Sequence, residues 1–256
     1  MIKKRTLTYP CYTGQEKRRV YIYLPRGYDS QPSRRYPVLY MFDGQNVFFD
    51  DNATYGKSWG MGRYLNYTKT PLIVVALECN THADNGRLSE YSPFYYNPGG
   101  EWGGPYEARA EETMQWYIHN LKPYIDKRFR TLTDREHTFI GGSSMGGLMS
   151  LYGVLCHNEV FSRAASFSPT MDVDADALVA LIEASSPAPD TVIYMDYGMK
   201  EFDYEPWSPA NFTRVANALM QKGVILSTRL VPNGDHSEAS WERQLPFAIP
   251  TIMYGI

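Results

Sequence analysis

The segment Phe139-Ile-Gly-Gly-Ser-Ser-Met-Gly-Gly147 constrains this chain more than any other. A run from His137 to Ile140 leads straight into a glycine-flanked serine, and the stretch from Leu148 to Cys156 has the apolar content of a buried helix. Gly142-Ser-Ser-Met-Gly146 fits G-x-S-x-G with Ser144 at its centre, whereas the frame centred on Ser143 puts Met145 where the last glycine is required. Strand, glycine turn and helix together give the motif a mechanical meaning: the turn forces the serine into a strained backbone, and only small neighbours let strand and helix approach. The hydroxyl of Ser144 is thereby presented at the end of a parallel strand and the start of a helix, where the partial positive charge of the helix favours a developing oxyanion.

The rest of the chain alternates between short apolar runs and amphipathic stretches. Arg19–Leu24 alternates as a half-exposed strand, Tyr36–Phe42 is a short apolar strand, and Pro71–Leu77 is apolar on both faces, as a central parallel strand must be. Glu107–Phe129 has helical spacing, with Met114, Tyr117, Ile118 and Leu121 on one side and a kink expected at Pro123. Ala164–Phe167, Thr191–Tyr197 and Val224–Val231 read as further strands. Ser208 and Pro209 read as the N-cap and first position of a helix that Gly223 closes, and a helix from Ala239 is broken by Pro246 and Pro250. No repeat, low-complexity tract or linker interrupts the pattern. The expectation is a single α/β domain over residues 1–256, built on a mostly parallel sheet flanked by helices.

If Ser144 is a nucleophile, its partners follow by elimination. On this architecture the chain order is serine, acid, histidine. Of the five histidines only His157 and His236 follow Ser144. His157 closes the helix that Ser144 opens and so lies turns away from it, as a cation on the helix dipole. His236 sits in the loop Val231-Pro-Asn-Gly-Asp-His-Ser237, directly after a predicted strand. The acid belongs near the exit of the strand between them. Asp172, Asp174 and Asp176 open a predicted helix instead, Asp196 lies within the strand, and Glu201 and Asp203 are both placed in the exit loop to hold the Nδ1 proton of His236. A second oxyanion donor is expected from Asp43-Gly-Gln-Asn-Val47, where Gly44 permits a turn that sets the N–H of Gln45 beside that of Met145.

The composition is permissive of such an enzyme and excludes little else. A net charge of −3 gives no electrostatic case for nucleic acid or anionic membrane as a main partner. Of the three cysteines, Cys79 and Cys156 sit in apolar surroundings and are expected as small core residues; none forms a C-x-x-C pair with another. The N-terminus Met1-Ile-Lys-Lys-Arg-Thr6 lacks the apolar stretch of a signal peptide, and no run has the length of a membrane span, so a cytoplasmic location is expected. His82 near Asp84 is too sparse for a zinc site. No metal or cofactor is expected, the partner is a small-molecule ester, and assembly into a homo-oligomer is left open.

Taken together, Asp43-Gly-Gln-Asn-Val-Phe48, Glu90-Tyr-Ser-Pro93, Leu121-Lys-Pro-Tyr-Ile-Asp126, Gly142-Ser-Ser-Met-Gly-Gly147 and His236 with Trp241 recur in this order in a known group. The chain resembles the putative-esterase family of α/β hydrolases, which includes esterase D, feruloyl, acetyl-xylan and enterochelin esterases. The resemblance covers nearly the whole chain. It implies an α/β-hydrolase fold in three layers and ester hydrolysis by a serine esterase. In similar enzymes the acid lies in a Gly-x-x-Asp/Glu strand exit, which Gly198-Met-Lys-Glu201 matches, so the resemblance implies the triad Ser144, His236 and Glu201 with Asp203 as the alternative. It also maps the oxyanion donors onto Gln45 and Met145. For substrate, the connections Tyr91–Tyr96 and Gly99–Gly104, with 21 tyrosines in the whole chain, suggest aromatic walls suited to aryl acids or sugars, with Trp59, Trp102 and Trp241 as candidate substrate-binding residues. Arg63, Arg87 and Arg109 are available for a siderophore ester, although no spacing singles them out. A non-catalytic binding module on the same fold is the remaining alternative.

Overall fold

The computed structural model describes residues 1–11, 14–82, 86–99, 103–203 and 207–256. It opens with a hairpin, β1 (Ile2–Cys11) and β2 (Gly14–Tyr23), paired antiparallel over their whole length. There follow β3 (Val38–Met41), α1 (Met61–Thr68), β4 (Ile73–Leu77), α2 (Gly86–Glu90) and α3 (Ala110–Trp116). A π-helical stretch, Tyr117–Leu121, joins α3 to α4 (Lys122–Arg128). The second half alternates regularly: β5 (Thr138–Ser143), α5 (Met145–Cys156), β6 (Arg163–Phe167), α6 (Ala175–Ala184), β7 (Val192–Gly198), α7 (Ser208–Gln221) and β8 (Ile225–Val231). Two helices close the chain, α8 (Glu238–Glu242) and α9 (Leu245–Ile252).

Among the described residues eight strands form one sheet in the order β1-β2-β4-β3-β5-β6-β7-β8. Only the β1/β2 and β2/β4 pairings are antiparallel. The rest of the sheet is parallel, as the near-continuous apolar runs predict. Alternate strand residues feed two cores. Val38, Tyr40, Val75, Ile140 and Ile193 pack with the helices from α3 to α7 on one face. Leu39, Met41, Val74, Phe139 and Tyr194 pack with α1 and α9 on the other, which completes a three-layer α/β fold.

Several elements depart from the sequence expectations, each for a local reason. β1 was hidden by its charged residues, Lys3, Lys4 and Arg5, which are what an edge strand carries to discourage further pairing. Because β2 is covered by β1 and β4 on its flanks and by α1 on one face, Val20–Tyr23 is buried on both faces and not half exposed. The expected kink at Pro123 is instead a widened turn just before it. Proline has no N–H to donate and its ring crowds the carbonyl four residues back, and the π-helical stretch absorbs both problems. Ser208 is the first residue of α7 and not its N-cap, because its hydroxyl donates to Asp172 Oδ2 at 2.7 Å. Neither Pro246 nor Pro250 breaks the last helix: Pro246 sits in the first turn of α9, where no N–H is needed, and Pro250 lies within its last turn. Cys79 is buried, but Cys156, at the end of α5, is exposed.

Candidate active site

β5 and α5 meet at Ser144, whose backbone has φ 59° and ψ −126°. This left-handed conformation costs a non-glycine residue on the order of 1–3 kcal/mol and must be over-determined by its surroundings. Three backbone hydrogen bonds do this: Ser144 N–H donates to Phe167 O at 3.0 Å, while Ser144 O accepts from Leu148 N–H at 3.0 Å and Thr170 N–H at 3.2 Å. The flanking glycines are steric requirements. A Cβ on Gly142 would lie 2.8 Å from the backbone of Gly146, and one on Gly146 would lie 3.0 Å from Phe42 Cβ and 3.1 Å from Asp43 Oδ2. The half-buried Ser144 Oγ is 3.2 Å from Thr170 Oγ1, its hydrogen-bond partner among the described residues.

The turn Met199–Asp203 leaves β7 and carries Glu201, whose exposure is 0%. Glu201 Oε1 accepts from Gly198 N–H at 2.9 Å and from Ser168 Oγ at 2.7 Å. Its Oε2 lies 2.6 Å from His236 Nδ1, so the carboxylate holds this ring nitrogen in the N–H form. Asp203 lies at an exposed position in the same turn. The two loops that bring Glu201 and His236 together touch through their backbones. Lys200 N–H donates to Gly234 O at 2.9 Å, and a Cβ on Gly198 would sit 2.6 Å from Gly234. The His236 side chain remains one third exposed (33%) while its carboxylate partner is fully covered.

Asp43, at the end of β3, has φ 54° and begins a short turn, Gly44–Asn46. Gly44 packs so closely on β4 that a Cβ there would lie 2.5 Å from the backbone of Ala76. Gln45 is pinned by its own side chain: Nε2 donates to Cys79 Sγ and Oε1 accepts from Cys79 N–H, both at 3.2 Å. The backbone N–H groups of Gln45 and Met145 have no acceptor among the described residues. Burial pushes the Cys79 thiol well above its ordinary range, with Asp43 adding to the effect, so it acts as a neutral hydrogen-bonding group.

Two further contacts tie this loop in place, and the sequence pattern did not single them out. Arg87 grips Asp43 with two bonds, Nε to Oδ1 at 2.7 Å and a terminal nitrogen to Oδ2 at 2.8 Å. Asn46 Nδ2 donates at 3.0 Å to Glu238 Oε1, two residues beyond His236. Burial raises the Glu238 carboxyl above the usual range; Asp43 raises it further, while His236 and Arg87 oppose the shift. The short spacing His236-Ser-Glu238 was the available signal for Glu238.

The aromatic candidates fall differently from the expectation. Trp59 and Trp241 are 2% and 5% exposed, so neither presents an open wall to a ligand. Trp59 packs edge-on against Phe167 at 4.6 Å, within the core that α1 and α9 cover. Trp241 meets the His236 ring edge-on at 5.1 Å and donates from Nε1 to Ser168 Oγ at 3.0 Å. Trp102 lies outside the described residues, as does Asp84. Among the residues of the aromatic connection that are described, Tyr95 is exposed. His157 caps α5 and bonds Glu111 Oε2 at 3.0 Å, away from this cluster in role and position.

Asp196, in β7, is the acid the sequence left within the strand. It is 1% exposed, and burial pushes its carboxyl up to about 7; Glu201 adds to the rise, while the Tyr194 hydroxyl, the Ser168 N–H and Arg229 oppose it. Between about pH 4 and 7 the folded chain therefore keeps a proton that the unfolded chain has lost. This carboxyl costs no stability below that window, an increasing amount through it, and the full amount above it. Asp196→Asn is expected to raise stability at pH 8 by up to about 4 kcal/mol and to change it little at pH 4. Urea unfolding midpoints at the two pH values check this; an equal change at both would contradict the burial account.

Comparison with known proteins adds an independent line. The profile of the family described as "Putative esterase" matches residues 13–252. Ferri-bacillibactin esterase BesA of Bacillus subtilis (strain 168) is 26% identical over 167 residues, which cover 61% of this chain and 55% of that protein. The chain thus spans about half the length of this curated relative. Among solved structures, a ferulic acid esterase superposes with a TM-score of 0.67 at 20% identity, covering 98% of this chain and 97% of that one. An IroE-like serine hydrolase from Shewanella oneidensis superposes with a TM-score of 0.75 at 19% identity, covering 96% and 79%. At these identities the structural matches speak for a shared α/β-hydrolase fold.

Proposed function

The chain belongs to the putative-esterase family and is a carboxylic ester hydrolase, and from that premise we propose that Ser144, His236 and Glu201 form its catalytic triad, with residues 1–256 as one catalytic domain. The observation that carries this reading is the 2.6 Å contact between His236 Nδ1 and a fully buried Glu201, set beside a serine held in a left-handed turn. With Nδ1 carrying the proton, Nε2 is the free base. Ser144 Oγ leaves Thr170, gives its proton to His236 Nε2 and attacks the ester carbonyl. The N–H groups of Gln45 and Met145 receive the oxyanion, and the buried Glu201 stabilises the imidazolium. His236 then protonates the departing alcohol, and water deacylates Ser144 by the reverse route. Rigid donors suit this task because they need no reorganisation as charge develops, and the paired Gln45–Cys79 bonds supply that rigidity.

For substrate, we read short-chain and aryl acyl esters, including carbohydrate-linked ones. The support is the exposed Tyr95 in the connection after α2, together with the fold shared with a ferulic acid esterase. A siderophore ester is the second reading, favoured by the relation to a ferri-bacillibactin esterase. A panel running from p-nitrophenyl acetate to palmitate, with methyl ferulate, acetylated xylo-oligosaccharides and a catecholate trilactone, separates the two. The expected profile falls gently with chain length, since one methylene in an apolar pocket discriminates by only about 1–3 kcal/mol. Highest kcat/KM on palmitate would rule out both readings, and highest kcat/KM on the trilactone would select the second.

A further inference from the structure

A second carboxylate lies buried behind the acid–base pair. Asp196 Oδ2 accepts from the Tyr194 hydroxyl at 2.7 Å, and Oδ1 accepts from Ser168 N–H at 3.2 Å. The same N–H also meets the Asp196 carbonyl at 3.1 Å. Ser168 follows β6 and is held at φ 39°, in the left-handed region, directly before Pro169. An L-residue in that position has to be clamped, and the two contacts from Asp196 are the clamp. The clamp matters because of what Ser168 does next. Its Oγ donates to Glu201 Oε1 at 2.7 Å and accepts from Trp241 Nε1 at 3.0 Å. Trp241 in turn packs on the edge of the His236 ring, and Glu201 holds His236 Nδ1. One serine thus joins both supports of the imidazole, and Asp196 fixes that serine.

We propose that Asp196 is a positioning residue for His236, acting through Ser168 on Glu201 and Trp241, and that the charge on Asp196 sets how strongly His236 holds a proton. This rests on the reading of His236 as the general base. An asparagine keeps the shape and the bond from Ser168 N–H, and turns the Tyr194 hydroxyl from donor to acceptor, so what it chiefly removes is the charge. The charge is what an asparagine lacks. The polar and charged groups facing Asp196 are Tyr194 on its own strand, Ser168 after β6, Glu201 after β7, and Arg229, its register partner on β8; α9, which packs on this part of the sheet, has no titratable side chain between Leu245 and Ile252. With Arg229 drawn over the Phe247 ring at 3.5 Å, Glu201 is joined to Asp196 through a hydrogen-bonded serine while the cation is shared with an aromatic face. Ionisation of Asp196 adds a second negative charge behind Glu201, and a negative charge nearby strengthens the hold of an imidazole on its proton.

The test is an NMR titration of the His236 ring, assigned by the loss of its signal in His236→Gln, alongside pH profiles of kcat/KM. In Asp196→Asn the His236 midpoint is expected to fall, and the acid limb of kcat/KM to move with it while KM stays unchanged. Tyr194→Phe removes a donor that favours the charged carboxylate, so it should move the midpoint in the same direction by less. It also carries the test if Asp196→Asn fails to fold. A midpoint within about 0.1 unit of wild type in both variants would overturn the proposal. The two readings fail separately: full turnover by Ser144→Ala would remove the nucleophile assignment but leave the ring titration readable, while an unmoved titration with an inactive Ser144→Ala would remove only the role of Asp196.

Discussion

Ser144→Ala is expected to lower kcat for p-nitrophenyl acetate by at least about 10³-fold and to abolish labelling by a fluorophosphonate probe. The size follows from what the hydroxyl does. On the proposed triad no acyl-enzyme forms without it, and what would remain is binding and oxyanion stabilisation acting on water, with the N–H groups of Gln45 and Met145 untouched. The fold should be indifferent to the change. Alanine carries the same Cβ, so the strain at φ 59° is unaltered, and the three backbone bonds that enforce the turn do not involve the side chain. The side-chain contact that disappears is a single half-buried hydrogen bond to Thr170, worth about 1 kcal/mol. Loss of activity with a thermal midpoint lowered by no more than about 2–4 °C is therefore the expected pair of results. Turnover retained by Ser144→Ala would remove the nucleophile assignment and leave an ester hydrolase whose chemistry lies elsewhere.

The serine turn was legible in sequence because sterics dictates it: no other residue types allow β5 and α5 to approach as closely as Gly142 and Gly146 do. The parallel strands were legible because burial on both faces leaves only apolar residues to choose from, as in Ile73–Leu77. Elements exposed on one side carried weaker signals, and β1 was masked by its own edge charges. The contacts around the acid and the histidine were beyond reach for a different reason. Asn46, Ser168 and Glu238 come from the exits of β3, β6 and β8, and each is an ordinary polar residue until the sheet brings those exits together around Glu201 and His236. Aromatic content misled in the same way. Composition records that Trp59 and Trp241 exist, but which face of the sheet they serve is a tertiary property, and both are buried.

Glu201→Gln should cost between about 10²- and 10⁴-fold in kcat, against less than about twofold for Asp203→Asn. Three donors converge on the two oxygens of Glu201: Gly198 N–H, Ser168 O–H and His236 Nδ1–H. A glutamine offers one acceptor oxygen and an amide nitrogen that only donates. If the oxygen keeps Gly198 and Ser168, the amide nitrogen faces His236 and forces Nδ1 to become the acceptor. Nε2 then carries the proton and can no longer take one from Ser144. If the oxygen instead turns to His236, two donors inside a fully buried pocket lose their acceptor, at about 1–3 kcal/mol each. The first arrangement disables the base and the second destabilises the turn after β7, so activity falls either way. On the proposed triad the loss also includes the buried negative charge that would steady the imidazolium. Asp203 shares none of this, since its position in the same turn is exposed to water. Steady-state kcat, together with the rate of fluorophosphonate labelling and near-ultraviolet circular dichroism to confirm folding, distinguishes the cases. A crippled Asp203→Asn beside an active Glu201→Gln would move the acid by two residues, and the 2.6 Å contact to His236 would then be structural only.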